Sequence, residues 1–352
     1  MNKKVLLGMS GGVDSSVSAL LLKKQGYEVI GVTMRLWEEK GQEDTNIEDA
    51  KAVCDKLEIE HHVVDLRKEF KTDVVDNFIC TYNCAKTPNP CIECNKHIKF
   101  GAFFKIAEEL NCECIATGHY AKIEYSEKYK QYVLTKSKAT AKDQTYFLYG
   151  IDRNKLSKII FPLADFEEKA DIRKIAEENG LKVATKKDSQ EICFIKNNDY
   201  VDFLEKHSKG KKEVQGDIVL TNGKVLGKHN GLKLYTIGQR KGLGISYKEP
   251  LYVIRLDKDK NQVVVGVEKE LYSKELVANE LNFLLDINLP HEIMAKIRYR
   301  AKEAKAVLNL DEGIAKLKFE ESQRAITPGQ SVVFYKDNIV IGGGKIITNK
   351  IS

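Results

Sequence analysis

The chain has no apolar run of about 18 residues, the length a helix needs to cross a bilayer. Its first residues, Met1-Asn2-Lys3-Lys4-Val5-Leu6-Leu7-Gly8, hold too short an apolar stretch for a secretion signal. The expectation from these absences is a cytoplasmic protein with no membrane partner. There is no internal repeat and no low-complexity tract. Proline is scarce at six, and no cysteine follows Cys193, so the last 159 residues lack one. The eight cysteines sit at 54, 80, 84, 91, 94, 112, 114 and 193. In a reducing compartment a disulfide framework is not expected, and clustered cysteines suggest metal binding, catalysis or redox chemistry. A chemical front half and a different back half follow from that distribution.

What is present is ordinary in amount and uneven in placement. Hydrophobic residues at 42% and charged residues at 31% exclude wholesale disorder, and 352 residues are enough for two or three domains. The net charge is +6, of which residues 201–250 carry +5, with ten Lys/Arg against five Asp/Glu. A local basic excess of this kind suits a polyanion, although a solvated lysine-rich surface has the same composition.

The first third alternates strand-like and helix-like pieces. Lys4–Met9, Glu28–Thr33, His61–Asp65 and Cys114–Gly118 read as strands. Ser15–Gln25, Asn46–Leu57, Lys99–Leu110 and Glu168–Asn179 read as helices. That rhythm predicts an α/β, doubly wound parallel sheet, which binds ligands at the carboxyl ends of its strands. Residues 210–244 hold eight glycines between short apolar pieces. Beyond them, alternating runs at Lys296–Arg300, Ala304–Leu310, Ala315–Phe319, Ser331–Tyr335 and Asn338–Ile341 predict small β-rich units. The expected division is 1–208, a nucleotide-binding catalytic domain; 209–272, a small central β-rich domain; and 273–352, a C-terminal β-barrel.

Gly8-Met9-Ser10-Gly11-Gly12-Val13-Asp14-Ser15-Ser16 joins the first strand to the first helix. Glycines allow close backbone approach to an anion, and the helix start offers N–H donors and a positive dipole end. With no lysine it is not a Walker A loop, and the dinucleotide spacing G-x-G-x-x-G is absent. Ser-Gly-Gly-x-Asp-Ser resembles instead the ATP-pyrophosphatase loop, where ATP is split between its α and β phosphates. Such a split adenylates a substrate oxygen, which nitrogen or sulfur then replaces. The loop alone leaves open which.

Thr87-Pro88-Asn89-Pro90-Cys91-Ile92-Glu93-Cys94-Asn95-Lys96 holds two of the six prolines and should be a rigid approach. Far downstream lies Lys187-Asp188-Ser189-Gln190-Glu191-Ile192-Cys193-Phe194-Ile195. With these in place the chain resembles the tRNA-specific 2-thiouridylases. The likeness also includes Ala116-Thr117-Gly118-His119-Tyr120, Lys142-Asp143-Gln144, Thr236-Ile237-Gly238-Gln239-Arg240, Arg298-Tyr299-Arg300 and Pro328-Gly329-Gln330, in one order from residue 8 to residue 330.

The resemblance implies ATP-dependent thiolation of C2 of the wobble uridine in tRNAs for Lys, Glu and Gln, with Mg2+ accompanying ATP. It implies that Cys193 carries a persulfide and Cys94 is its nucleophilic partner, with Lys96 or a helix start favouring the thiolate. ATP contacts are implied at Gly8, Met9, Ser10, Gly11, Gly12, Val13, Asp14, Ser15, Met34 and Gly118. tRNA contacts are implied at Asn89, Pro90, Cys91, His119, Lys142, Asp143, Gln144, Arg298, Tyr299 and Gln330. The partners are tRNA and an upstream persulfide donor, a cysteine desulfurase or relay protein.

One position departs from the commoner family pattern, which has Asp where this chain has Cys91. Cys91, Cys94 and Cys193 together resemble the three ligands of a [4Fe–4S] cluster in cluster-dependent tRNA thiolases. Alternatively Cys91 is a neighbour or resolving thiol, or zinc sits on Cys80, Cys84, Cys91 and Cys94. Two rival functions also stand at this point. One is a thiolase acting on another RNA position; the other is an amide-forming ligase with the same ATP loop, for which neither Cys94 nor Cys193 is needed.

Overall fold

A continuous apolar run in the first strand decides the architecture around it. In Lys4–Gly8, Val5 and Leu7 point to one face and Leu6 to the other, and all three are fully buried. The strand therefore lies inside a sheet covered on both sides. The structure, a computed structural model, describes residues 3–37, 45–186, 192–195, 197, 199–207 and 214–349. Five parallel strands run in the order Glu60–Asp65, Glu28–Arg35, Lys4–Gly8, Cys114–Ala116 and Ile159–Ile160. Helices Val13–Lys24, Thr45–Lys56 and Lys169–Glu178 cover the Val5/Leu7 face. Phe70, Phe78, Ile98 and Phe103 cover the Leu6 face. The chain steps outward from the first strand to one edge and then returns to its other side. The glycine loop leaves the first strand at that reversal, where doubly wound sheets open a crevice.

The glycine-rich region forms a four-stranded sheet ordered Tyr252–Asp257, Gln262–Gly266, Gly216–Leu220 and Val225–His229. Its two inner strands are parallel to each other. After it, Tyr272–Phe283, Ile314–Arg324, Ala304–Asp311, His291–Lys296, Ser331–Lys336 and Ile339–Thr348 pair in that order. The last returns to the first, which closes a six-stranded barrel and leaves no free edge between them. The expected strand Lys296–Arg300 is a correction: the strand ends at Lys296, and residues 297–300 form a bend and turn. Arg298 turns away because its guanidinium donates to the carbonyls of Arg324 (2.6 Å) and Ala325 (2.8 Å).

The barrel and the nucleotide-type half share one core. The hairpin Lys122–Ser126/Gln131–Thr135 adds to the barrel sheet through Thr135 and Ile339. Leu284, Val333, Tyr335 and Val340 pack in the same apolar cluster as Phe78, Tyr146 and Leu148. Tyr146 donates to the Ser331 carbonyl at 2.9 Å, and the Tyr335 and Thr145 hydroxyls lie 3.3 Å apart. The chemical front half and the different back half expected from the cysteine distribution pack together as one body. Tyr335→Ala should cost about 3–5 kcal/mol, the usual loss for truncating a large buried aromatic. Urea unfolding should still show one transition for both halves. A barrel that melts alone, with the parallel sheet intact, would contradict the shared core.

Candidate active site

The glycine loop is fixed by its own hydroxyls. Ser15 Oγ accepts from the Ser10 amide at 3.2 Å and donates to the Gly12 carbonyl at 3.1 Å. Ser16 Oγ donates to the same carbonyl at 2.9 Å. Gly12 starts helix Val13–Lys24 without a side-chain cap, so the first-turn amides are left to a ligand, as an anion site requires. Gly11 has φ +66°, and a Cβ there would collide with the Asn46 carbonyl. At Gly118 a Cβ would lie 3.0 Å from the Asp14 carbonyl carbon and 3.1 Å from the Ser15 amide. Met34 reaches the base of the loop, its Cε 3.6 Å from where a Gly8 Cβ would be. The ATP-type residues named from the sequence thus converge at the carboxyl edge of three adjacent strands.

Two lysines at this edge were not anticipated. Asp14 accepts from Tyr120 OH at 2.8 Å and from Lys169 Nζ at 2.9 Å, a half-buried ion pair. Lys186 Nζ donates to the Gly11 carbonyl at 3.1 Å, to Asn46 Oδ1 at 2.9 Å and to Asp49 at 2.6 Å. A loop without its own lysine thereby gains two from outside. Lys169 and Lys186 lie far downstream of Asp14, and no spacing motif links them to the loop, so only the fold reveals them.

Cys94 begins a wide, π-type helical segment, Cys94–Ala102, after the short helix Pro90–Glu93 that Pro90 opens. Cys94 is buried, whereas Cys91 and Cys193 keep exposed surface. All eight cysteines are free thiols. Burial pushes the Cys94 thiol up, Lys99 opposes the shift and Cys91 adds to it. Protein around the Cys193 thiol pushes it up to about 12, with further upward contributions from Cys94 and Cys91. Cys91 is raised by burial and opposed by Lys99. One lysine opposes the upward shift of all three thiols. That lysine is Lys99. Lys96, expected in the role, is exposed and lies along Gly150. Among the described residues no group of three or more His, Cys, Asp or Glu is arranged to hold a metal ion. The Lys187-Asp188-Ser189-Gln190-Glu191 stretch before Cys193 lies outside the described residues, as do Lys209, Lys211 and Lys212.

The RNA-type residues divide into exposed and committed ones. Lys142 is exposed, Asn89 half-buried and Pro90 buried. His119 is buried against Phe100 and Phe161, bonded to Thr117 Oγ1 at 2.7 Å, and burial holds it well below the usual imidazole range. Asp143 is buried and accepts from Thr145 Oγ1 (2.6 Å) and the Ser137 amide (3.3 Å). Gln144 accepts from the Tyr120 amide at 2.9 Å. Tyr299 packs on Phe147 with ring centroids 4.5 Å apart, and Gln330 donates to the Thr87 and Pro88 carbonyls.

Comparison with known proteins fits this set of parts. Residues 3–197 match a family described as tRNA methyl transferase HUP domain, 201–267 the tRNA methyl transferase PRC-barrel domain, and 273–346 an aminomethyltransferase beta-barrel domain. The tRNA-specific 2-thiouridylase MnmA of Clostridioides difficile is 49% identical over 98% of both chains. One such protein of Caldanaerobacter subterraneus, MnmA 2, is 48% identical over 99% of both. The chain belongs to the tRNA-specific 2-thiouridylase family. A 4-thiouridine synthetase solved with RNA and ATP is a remote likeness, with a TM-score of 0.36 and 21% identity over 58% of this chain and 50% of that one. The domain descriptions speak of methyl or aminomethyl transfer, but the 2-thiouridylase relatives carry the near-complete alignment.

The raised thiols give a prediction for this family member. A thiol reacts as its thiolate, and raising the pKa empties that form at neutral pH. Alkylation of Cys193 by iodoacetamide in the free protein should be slow at pH 7 and rise about tenfold per pH unit through pH 9. Peptide mass spectrometry would follow it; a rate that levels off below pH 8 would contradict the desolvated environment.

Proposed function

We propose that the protein thiolates C2 of the wobble uridine of tRNA for Lys, Glu and Gln, using ATP and a persulfide on Cys193. The carrying observation is that a phosphate-type loop and two cysteine segments distant in sequence belong to one body, with Cys94 packed in the same apolar cluster as Phe194, the neighbour of Cys193. The phosphates of ATP lie on the first-turn amides of Val13–Lys24, and Lys169 and Lys186 supply positive charge beside a departing pyrophosphate. Mg2+ would share that charge, with Asp14 the carboxylate at the loop. The uridine 2-oxygen attacks the α phosphorus, the bond to the β-phosphate oxygen breaks, and pyrophosphate leaves. The terminal sulfur of the Cys193 persulfide then attacks C2, and the C2–oxygen bond breaks to release AMP. Cys94 attacks Cys193 Sγ, which frees 2-thiouridine and leaves a Cys94–Cys193 disulfide for a cellular thiol to reduce.

Exposure of Cys193 suits loading by a cysteine desulfurase or relay protein, and the substrate places the reaction in the cytoplasm. Lys142, Tyr299 and the exposed Lys224, Lys228, Arg240, Lys241 and Lys248 form the RNA-facing set, with phosphate and stacking contacts suited to a tRNA. Arg298, His119, Asp143, Gln144 and Gln330 support that set from behind, since each already has a polar atom bonded within the protein. Cys91, Cys94 and Cys193 match a [4Fe–4S] cluster in number but, as they stand, not in arrangement, so no step here passes through one.

Two outcomes test this reading. Asp14→Ala should lower tRNA-dependent AMP formation about a hundredfold while tRNA binding changes by less than about twofold. Parent-level AMP formation would remove the loop from the mechanism. Cys94→Ser and Cys193→Ser should each eliminate 2-thiouridine from tRNA nucleosides, whereas Cys91→Asp should stay active. Iron in anaerobically purified protein, lost together with activity in Cys91→Ser, would favour the cluster over the two-cysteine relay.

A further inference from the structure

We infer that Lys345, on the barrel's last strand, is a positioning residue that fixes Cys94 for sulfur transfer by holding its neighbour Glu93. This rests on the reading of Cys94 as the nucleophile. Lys345 Nζ lies 3.3 Å from Glu93 Oε1 and 2.9 Å from Glu280. Lys345 and Glu93 are largely buried, with side chains 21% and 12% exposed, while Glu280 is half exposed. Burial alone would lower the Lys345 pKa, but the Glu280 hydrogen bond and the Glu93 charge outweigh it and the ammonium is retained.

The same barrel grips the other end of the segment. Gln330 Nε2 donates to the Thr87 carbonyl at 3.1 Å and the Pro88 carbonyl at 2.9 Å, and the Thr87 amide donates to the Pro328 carbonyl at 3.0 Å. Gly329, with φ +90°, leaves no space there for a side chain, since a Cβ would lie 2.8 Å from the Thr87 carbonyl oxygen. The stretch from Thr87 to Cys94 is thus clamped at both ends by residues from the far end of the chain. Asn95, next to Cys94, donates through Nδ2 to the Phe147 carbonyl at 3.2 Å, a further hold on the segment from a residue distant in sequence.

Cys94 acts after adenylation, and this order gives the clamp a signature that general destabilisation lacks. Misplacing a reacting group by about 1 Å can cost about a hundredfold in rate. In Lys345→Ala, 2-thiouridine formation should fall at least about tenfold. The KM for tRNA and the AMP released in a single turnover should change by less than about twofold, because the Cys193 persulfide attacks C2 and expels AMP before Cys94 acts. The product then stalls as tRNA joined through its 2-sulfur to Cys193 Sγ. The ratio of AMP to 2-thiouridine therefore rises about tenfold, and Lys345→Arg restores most of the coupling. Should Lys345→Ala fail to fold, Glu93→Gln removes the same ion pair, together with the 3.5 Å contact of Glu93 to His97, and should raise the ratio at least as much, with His97→Gln leaving it at the parent value. A parent ratio in the folded variant, or a KM for tRNA rising in proportion to the lost turnover, overturns the inference. Cys94→Ser that still makes 2-thiouridine overturns the nucleophile reading and this inference with it. An inactive Cys94→Ser beside a parent ratio in Lys345→Ala overturns the inference alone.

Discussion

The close approach of Gly118 to the backbone of Asp14 and Ser15 is the constraint on which the nucleotide end depends. At 3.0 Å from a Cβ position to the Asp14 carbonyl carbon, the turn after Cys114–Ala116 and the turn after Lys4–Gly8 touch with no side chain between them. Tyr120, which follows closely on Gly118, then reaches Asp14 from beside that contact, and Lys169 completes its surroundings. Any side chain at 118 would push these strand ends apart and take Tyr120 with them. A loop whose own residues carry no cation is in this way surrounded by groups that fix its carboxylate and supply its charge.

The sequence made much of this legible. The parallel sheet could be read from the rhythm of strand-like and helix-like pieces, because each piece is a local signal. The loop could be read because its function needs particular glycines at particular offsets. Cys94 and Cys193 were found as a pair through resemblance, not through any local pattern. Lys169, Lys186 and Lys99 escaped because a lysine in a sequence looks alike whether it faces water or, as Lys169 does, an aspartate from a distant loop. Arg298 was read as part of a strand because its flanking residues alternate; its guanidinium instead closes a bend by capping two carbonyls. Hydrogen-bond demand at a strand end overrode periodicity there.

The thiols show a second tension. Desolvation raises Cys91, Cys94 and Cys193 together, which keeps them protonated and protects them from stray oxidation, but a sulfur nucleophile needs the anion. Lys99 is the cation that opposes the shift for all three. Arrival of a polyanionic RNA would add negative potential, so lowering of the thiols must come from closer cations or from the greater acidity of a persulfide.

The shared core and the double grip on residues 87–94 have a consequence for how such a chain can diversify. The part that carries Cys94 and the part that steadies it are encoded at opposite ends of the reading frame, yet they pack as one. Exchange of the barrel between relatives by recombination at a single crossover would separate Lys345 from its Glu93 and Gln330 from its Thr87. The heritable unit is discontinuous. Lineages should therefore vary the barrel by paired point changes across that seam and not by wholesale replacement of the C-terminal segment.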